Sequence, residues 1–133
     1  MTKVVLDTNI LVSGLISSAG SPGRVVDLLL GGELYTFHDD RILAEYREVL
    51  SRDKFPFRPQ TVTALIDAIM VAGDSVSAPP LPWSLPDETD RKFYEVAKAA
   101  GARLVTGNLK HYPKDPLVLS PADFLKLIER GES

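Results

Sequence analysis

Residues 4–9, Val-Val-Leu-Asp-Thr-Asn, constrain the fold of this chain more than any other stretch. Three apolar residues, two of them β-branched, read as a short strand buried on both faces, as strands of parallel sheets are. An aspartate, a threonine and an asparagine then stop the run, and these residue types favour turns and helix starts over strand interiors. In a parallel α/β sheet the carboxyl ends of the strands open onto the ligand crevice, which would deliver Asp7 to that place. The plainer alternative is that Asp7 caps the next segment. The strand alone does not choose between them.

The remainder of the chain alternates strands with helices. Ile10 to Ile16 is apolar with Ser13 and Gly14 inside it, and residues 17–20 read as loop. Ser21-Pro22 opens a helix with a hydroxyl cap and a proline in the first turn, and Gly31-Gly32 stops it. Leu34 to Phe37 is a second strand. Asp39-Asp40 caps a helix from about Arg41 to Ser51, striped by Ile42, Tyr46, Val49 and Leu50. A further helix carries Val62, Leu65, Ile66 and Ile69 on one face, with Gly73 as its stop and a short strand at Ser75 to Ser77. Leu65, Ile69 and Met70 suit either core or a homodimer contact, with core preferred.

Residues 79–86, Pro-Pro-Leu-Pro-Trp-Ser-Leu-Pro, read as an extended surface connector. Asp87 to Asp90 opens a helix bearing Phe93, Val96, Ala97 and Ala100, stopped by Gly101. Ala102 to Thr106 and Leu117 to Leu119 are strands, and Ser120-Pro121 opens a last helix with its own cap. This alternation predicts a layered α/β fold with a mainly parallel central sheet. A length of 133 residues suits one domain over residues 1–133. The absence of cysteine removes disulfides, thiol nucleophiles and thiolate-held metals. No apolar run reaches membrane length, so a soluble cytoplasmic protein with no membrane partner is expected. The net charge of −3 gives no global attraction for nucleic acid, which would need a local basic patch or a metal ion.

Three acids resist a purely structural account. Glu45 sits on the border of the stripe of its helix, where a carboxylate is costly unless paired or bound to a cation. The alternative is a side chain reaching water beside Arg41 or Arg52. Asp87 and Asp90 both answer the free N–H groups at a helix start, and that role suits Asp87. Asp90 can satisfy the helix dipole and still present a carboxylate to a crevice. Asn108 ends a second buried strand. Asp7, Glu45, Asp90 and Asn108 could therefore converge at one edge of the sheet. Three carboxylates there remain ionised only around a divalent cation, and oxygen ligands suit Mg²⁺ or Mn²⁺.

The order Val-Val-Leu-Asp-Thr-Asn, then Leu-Ala-Glu-Tyr in a helix, then Asp-Arg opening a helix, then Leu-Val-Thr-Gly-Asn resembles the PIN domain family. It is most similar to the branch of VapC-like ribonucleases, the toxin components of toxin–antitoxin modules. The resemblance runs from Lys3 to about Ile128, with Asp90 lying 18 residues before Asn108. It implies a three-layer α/β/α PIN-like fold with a mainly parallel central sheet. Asp7, Glu45 and Asp90 match the first three acidic positions, both catalytic and metal-ligating. Asn108 is a fourth catalytic position where many members carry aspartate, which weakens the case for a second metal. Thr8, Asn9, Asp87 and Thr106 are supporting residues by the same resemblance, and Arg24, Lys110 and His111 are candidate substrate contacts. A surface role for His111 stands beside that reading.

By the resemblance the chain is an Mg²⁺- or Mn²⁺-dependent endoribonuclease cutting single-stranded RNA, with RNA, a cognate antitoxin protein and a second copy of itself as partners. One rival is a catalytically weak or inactive PIN-like module that binds RNA or protein, for which Asn108 argues. Another is a phosphohydrolase with Asp7 as nucleophile. Such enzymes want a second aspartate two residues on, where this chain has Asn9.

Overall fold

The structure, a computed structural model, describes residues 1–82 and 84–131. Trp83, within the proline-dense connector, and the last two residues lie outside that range. Five strands form one sheet in the order β3-β2-β1-β4-β5: β1 Thr2–Leu6, β2 Leu34–His38, β3 Gly73–Ser75, β4 Arg103–Val105 and β5 Val118–Leu119. Every pairing is parallel, with Val4 opposite Thr36 on one side and Arg103 on the other. Val4, Val5 and Leu6 are buried on both faces, as the unbroken apolar run requires.

Six helices cover the sheet in a three-layer α/β/α arrangement: α1 Thr8–Ile16, α2 Ser21–Leu30, α3 Asp40–Leu50, α4 Pro59–Val71, α5 Arg91–Ala100 and α6 Pro121–Glu129. Parallel strands need crossovers, and helices α2, α4 and α5 with their loops supply them. The chain winds outward from β1 through β2 to β3, then returns to place β4 on the other flank of β1. The strand order reverses between β1 and β4. Such switch points are where open α/β sheets hold their ligands.

The apolar run after Asp7, with Ser13 and Gly14 inside it, is helix α1. Gly14 is needed for contact: a Cβ there would lie 2.6 Å from Val26 Cγ2 on α2. Gly73 does not stop a helix but opens β3, displacing the strand expected at Ser75 to Ser77. A Cβ on Gly73 would sit 1.6 Å from the Thr36 carbonyl oxygen, so no other residue fits. Ser21 makes no cap hydrogen bond, since Gly20 holds the cap position of α2. Leu65 and Ile69 are core, whereas Met70 is exposed. No helix among the described residues is long and apolar enough to cross a membrane.

One buried charge ties the connector to the helices. Glu95 on α5 is only 3% exposed, yet it accepts hydrogen bonds from Arg41 of α3 at 2.8 Å and from the Leu81 N–H at 2.9 Å. Burial pushes its carboxyl up, but these donors outweigh it and hold the group below its ordinary range. A depressed carboxyl contributes stability above its unfolded pKa and loses it as pH falls through the folded value. Glu95→Ala strands the Leu81 N–H and leaves Arg41 with Asp39 as its carboxylate partner, and should cost about 2 kcal/mol in urea unfolding at neutral pH. A loss within experimental error would show that this anchor does not hold the connector.

Candidate functional site

Asp7 stands where the sheet hands over to a helix. Its N–H donates to the Val105 carbonyl at 3.0 Å, and its own carbonyl accepts from the Ile10 N–H in α1. It holds the cap position of α1, and a backbone hydrogen bond from Asn9 acts on its carboxyl, so capping is the lesser part of its role. Asp7 Oδ2 also accepts from the Thr106 hydroxyl at 2.9 Å and from the Tyr112 hydroxyl at 2.8 Å, with the residue only 4% exposed.

The Thr106 hydroxyl uses its whole capacity of one donor and two lone pairs. It donates to Asp7 and accepts from the Asn108 N–H at 3.0 Å and from Asn9 Nδ2 at 3.5 Å. Asn9 Oδ1 in turn accepts from the Gly107 N–H at 2.9 Å. Asn9 therefore staples the turn after β4 to the turn after β1, and both strand ends are fixed by side chains that leave the strands together.

Glu45 reaches this junction from α3. It accepts a hydrogen bond from the Thr8 hydroxyl and pairs with Lys92 Nζ of α5 at 2.8 Å. Neither Arg41 nor Arg52 is its partner, since Arg41 serves Asp39 and Glu95 while Arg52 serves Glu48. Asp87 caps the 3-10 turn Glu88–Asp90 by accepting from the Thr89 N–H at 3.0 Å. Asp90 occupies the cap position of α5 but makes no side-chain cap bond there. Its Oδ2 lies 3.0 Å from His111 Nδ1, and Asp87 Oδ2 lies 3.5 Å from the same nitrogen.

The carboxylates act on one another. Burial raises the Asp7 carboxyl, the Tyr112 and Thr106 hydroxyls lower it, and the charge on Glu45 raises it again. Burial and then the Asp7 charge push Asp90 up to about 6, against the opposing bond from His111. The Tyr112 hydroxyl is raised by burial and by the charges of Asp7 and Asp90, so at neutral pH it is a hydrogen-bond donor and never a base.

The structure thus gathers Asp7, Thr8, Asn9, Glu45, Asp87, Asp90, Thr106 and His111 on one rim. His111, its side chain 35% exposed, faces two carboxylates there. Asn108 is exposed and contributes its backbone N–H, its side chain making no hydrogen bond among the described residues. Lys110 is exposed nearby. Arg24 lies elsewhere, on α2 and paired with Glu129 of α6 at 3.4 Å. Sequence reasoning missed Tyr112 and Lys92. Neither breaks a pattern, because a tyrosine in a loop and a lysine on an amphipathic helix are ordinary.

Donor chemistry at this rim fits a divalent cation. Asp87, Asp90 and His111 each offer a ligand atom within 4.8 Å of the others, while Asp7, whose charge acts on Asp90, and Glu45, whose charge acts on Asp7, fall outside that group. An oxygen-rich set with one imidazole suits several divalent ions, and such an ion would relieve the repulsion that raises Asp90. The sign of that repulsion is testable without metal. A carboxyl whose folded pKa is raised above its ordinary 3.8 costs stability when ionised, and the cost disappears as pH falls through about 6. In chelator, Asp90→Asn should therefore raise the melting temperature at about pH 7.5, and the gain should shrink towards about pH 5. A pH-independent difference would contradict the repulsion.

A family model described as "PIN domain" matches residues 3–110. The uncharacterized protein MJ1680 of Methanocaldococcus jannaschii is 27% identical over 115 residues, covering 80% of this chain and 70% of that protein.

Proposed function

Because this chain belongs to the PIN domain family, we propose that it is a metal-dependent endoribonuclease that cleaves single-stranded RNA, acting in the cytoplasm as the toxin of a toxin–antitoxin pair. PIN domains are nucleases as a family, and the acid-and-histidine cluster is of the kind that holds a metal ion. The observation that carries the finer reading is the buried Asp7 carboxylate and, beside it at the switch point of the sheet, Asp90, which partial burial and the Asp7 charge push up to about 6. Acids raised in this way cost stability, and a cation-dependent activity gives that cost a use.

In this reading Asp7, Glu45 and Asp90 hold Mg²⁺ or Mn²⁺, and Asp87 and His111 contribute at its edge. When bound, the ion supplies Lewis acidity towards water and neutralises charge on the phosphate. The chain's own residues do the rest. Thr106 and Tyr112 fix the Asp7 carboxylate by donating to Oδ2 and so leave its remaining lone pairs directed at the crevice. Thr8 orients Glu45, and Lys92 balances that charge. Asn9 holds the two strand-end turns in register. A cognate antitoxin is the proposed protein partner, and self-association is the other.

A second reading is favoured by Asn108, which brings no charge to the fourth position, and by Lys92, which already neutralises Glu45. Under it the chain is a weak or silent module that binds RNA or protein without cutting. Cleavage of a mixed single-stranded RNA panel separates the two. The nuclease reading expects cutting with Mn²⁺ or Mg²⁺, none in chelator, and a loss of at least about 100-fold in Asp7→Asn, the worth of several kcal/mol of transition-state stabilisation. Full activity in Asp7→Asn, or none in the wild type beside intact RNA binding, refutes it. Tyr112→Phe removes one of the two donors that fix Asp7 and should lower activity roughly 10- to 100-fold, with Mn²⁺ affinity read by calorimetry falling alongside.

A further inference from the structure

A cleft of about 860 Å³ runs along the segment between β4 and β5. Leu109, Pro113 and Pro116 give it apolar walls, the Tyr112 ring forms part of its lining, and Lys110 and Lys114 stand at it. Its size lies within the range of small-ligand sites. Leu109 is 46% exposed, a large apolar side chain left to solvent beside two ammonium groups. Neither lysine forms an ion pair among the described residues. The one acid of the lining, Asp115, is already engaged, accepting from the Tyr94 hydroxyl at 2.7 Å, Lys98 Nζ at 3.0 Å and the Leu117 N–H at 3.0 Å. On a chain of net charge −3 this cleft is therefore a local positive, apolar surface.

Tyr112 separates it from the carboxylate rim. That residue lines the cleft while its hydroxyl bonds Asp7, and His111, between Lys110 and Tyr112, faces Asp90. A ligand lying in the cleft is one side chain away from the cluster. Anionic groups joined to a flat apolar body describe a nucleotide, whose phosphates suit lysine ammoniums and whose base suits apolar walls. The lining has no side-chain amide to read a base edge, and its one hydroxyl, that of Tyr112, is spent on Asp7.

Building on the nuclease reading, we propose that this cleft holds the nucleotide next to the phosphate at the carboxylate rim. Its base rests on Leu109, Pro113 and Pro116, and its flanking phosphates rest on Lys110 and Lys114. Recognition at this position is blind to base identity, so sequence preference in the substrate arises elsewhere.

Fluorescence anisotropy with short labelled single-stranded oligonucleotides of each base, in chelator so that nothing is cut, tests this on the full chain. Lys110→Ala/Lys114→Ala should weaken binding on the order of 10-fold and reduce the slope of log affinity against log salt by about 1.4, the counterions of two phosphates. Leu109→Ala should weaken binding with the slope unchanged, and all bases should be affected alike. The matched double variant Lys54→Ala/Arg58→Ala, in the connector before α4, should leave affinity near wild type. Wild-type affinity and slope in the Lys110/Lys114 variant overturn the cleft assignment, as they would if a protein docks there instead. A base-dependent loss overturns the claim of blindness. Asp7→Asn is read in parallel for cleavage with Mn²⁺. If it alone loses cutting while the lysine variants bind normally, only the cleft inference fails. If nothing cuts but the lysine variants bind weakly, the nuclease reading fails and the cleft remains.

Discussion

The bond from the Thr106 hydroxyl to the Asp7 carboxylate organises this molecule. It joins the ends of β1 and β4, the two strands between which the sheet reverses its order. A carboxylate this deeply buried is costly unless it is hydrogen-bonded, and the fold answers with donors from two later parts of the chain, Thr106 and Tyr112. The pairing of β1 with β4 brings Thr106 near, and the turn after β4 brings Tyr112 around behind it. The remaining polar contacts at the rim depend on these strand ends being in place.

That arrangement sets stability against readiness. Asp90 is partly desolvated beside Asp7, and burial followed by the Asp7 charge raises its pKa, a cost that a purely structural protein would remove by substitution. The fold compensates away from the rim. Glu95, more deeply buried, is surrounded by guanidinium and amide donors that anchor α5 to α3 and to the connector. Asp90 starts the same helix that Glu95 secures. The strained carboxylate thus sits on an element held firmly from its other side.

How much of this was legible in the sequence depends on whether a residue broke a local rule. Asp7 and Asp90 stood out because acids at a strand end and a helix start admit two explanations, and in the structure both hold cap positions while their carboxylates bond other side chains. Glu45 stood out because it bordered an apolar stripe. Gly73 was misread for the same reason in reverse: a glycine looks like a stop in one dimension, while here it lets β3 lie close against β2. The β3 strand was consequently placed two residues too late. Tyr112 and Lys92 left no local trace, since their importance lies in partners far away in the chain. The apolar cleft between β4 and β5 was equally hidden, being formed by a loop without periodicity.

The separation of those partners has a consequence for synthesis. Asp7 meets its two donors across 99 and 105 residues. Contacts so distant in sequence form late, because a long loop must close before they contribute. During translation the first strand emerges early but stays without Thr106 and Tyr112 until those later residues have followed it. The carboxylate rim is therefore among the last parts of this fold to be completed, whatever the order in which the helices form.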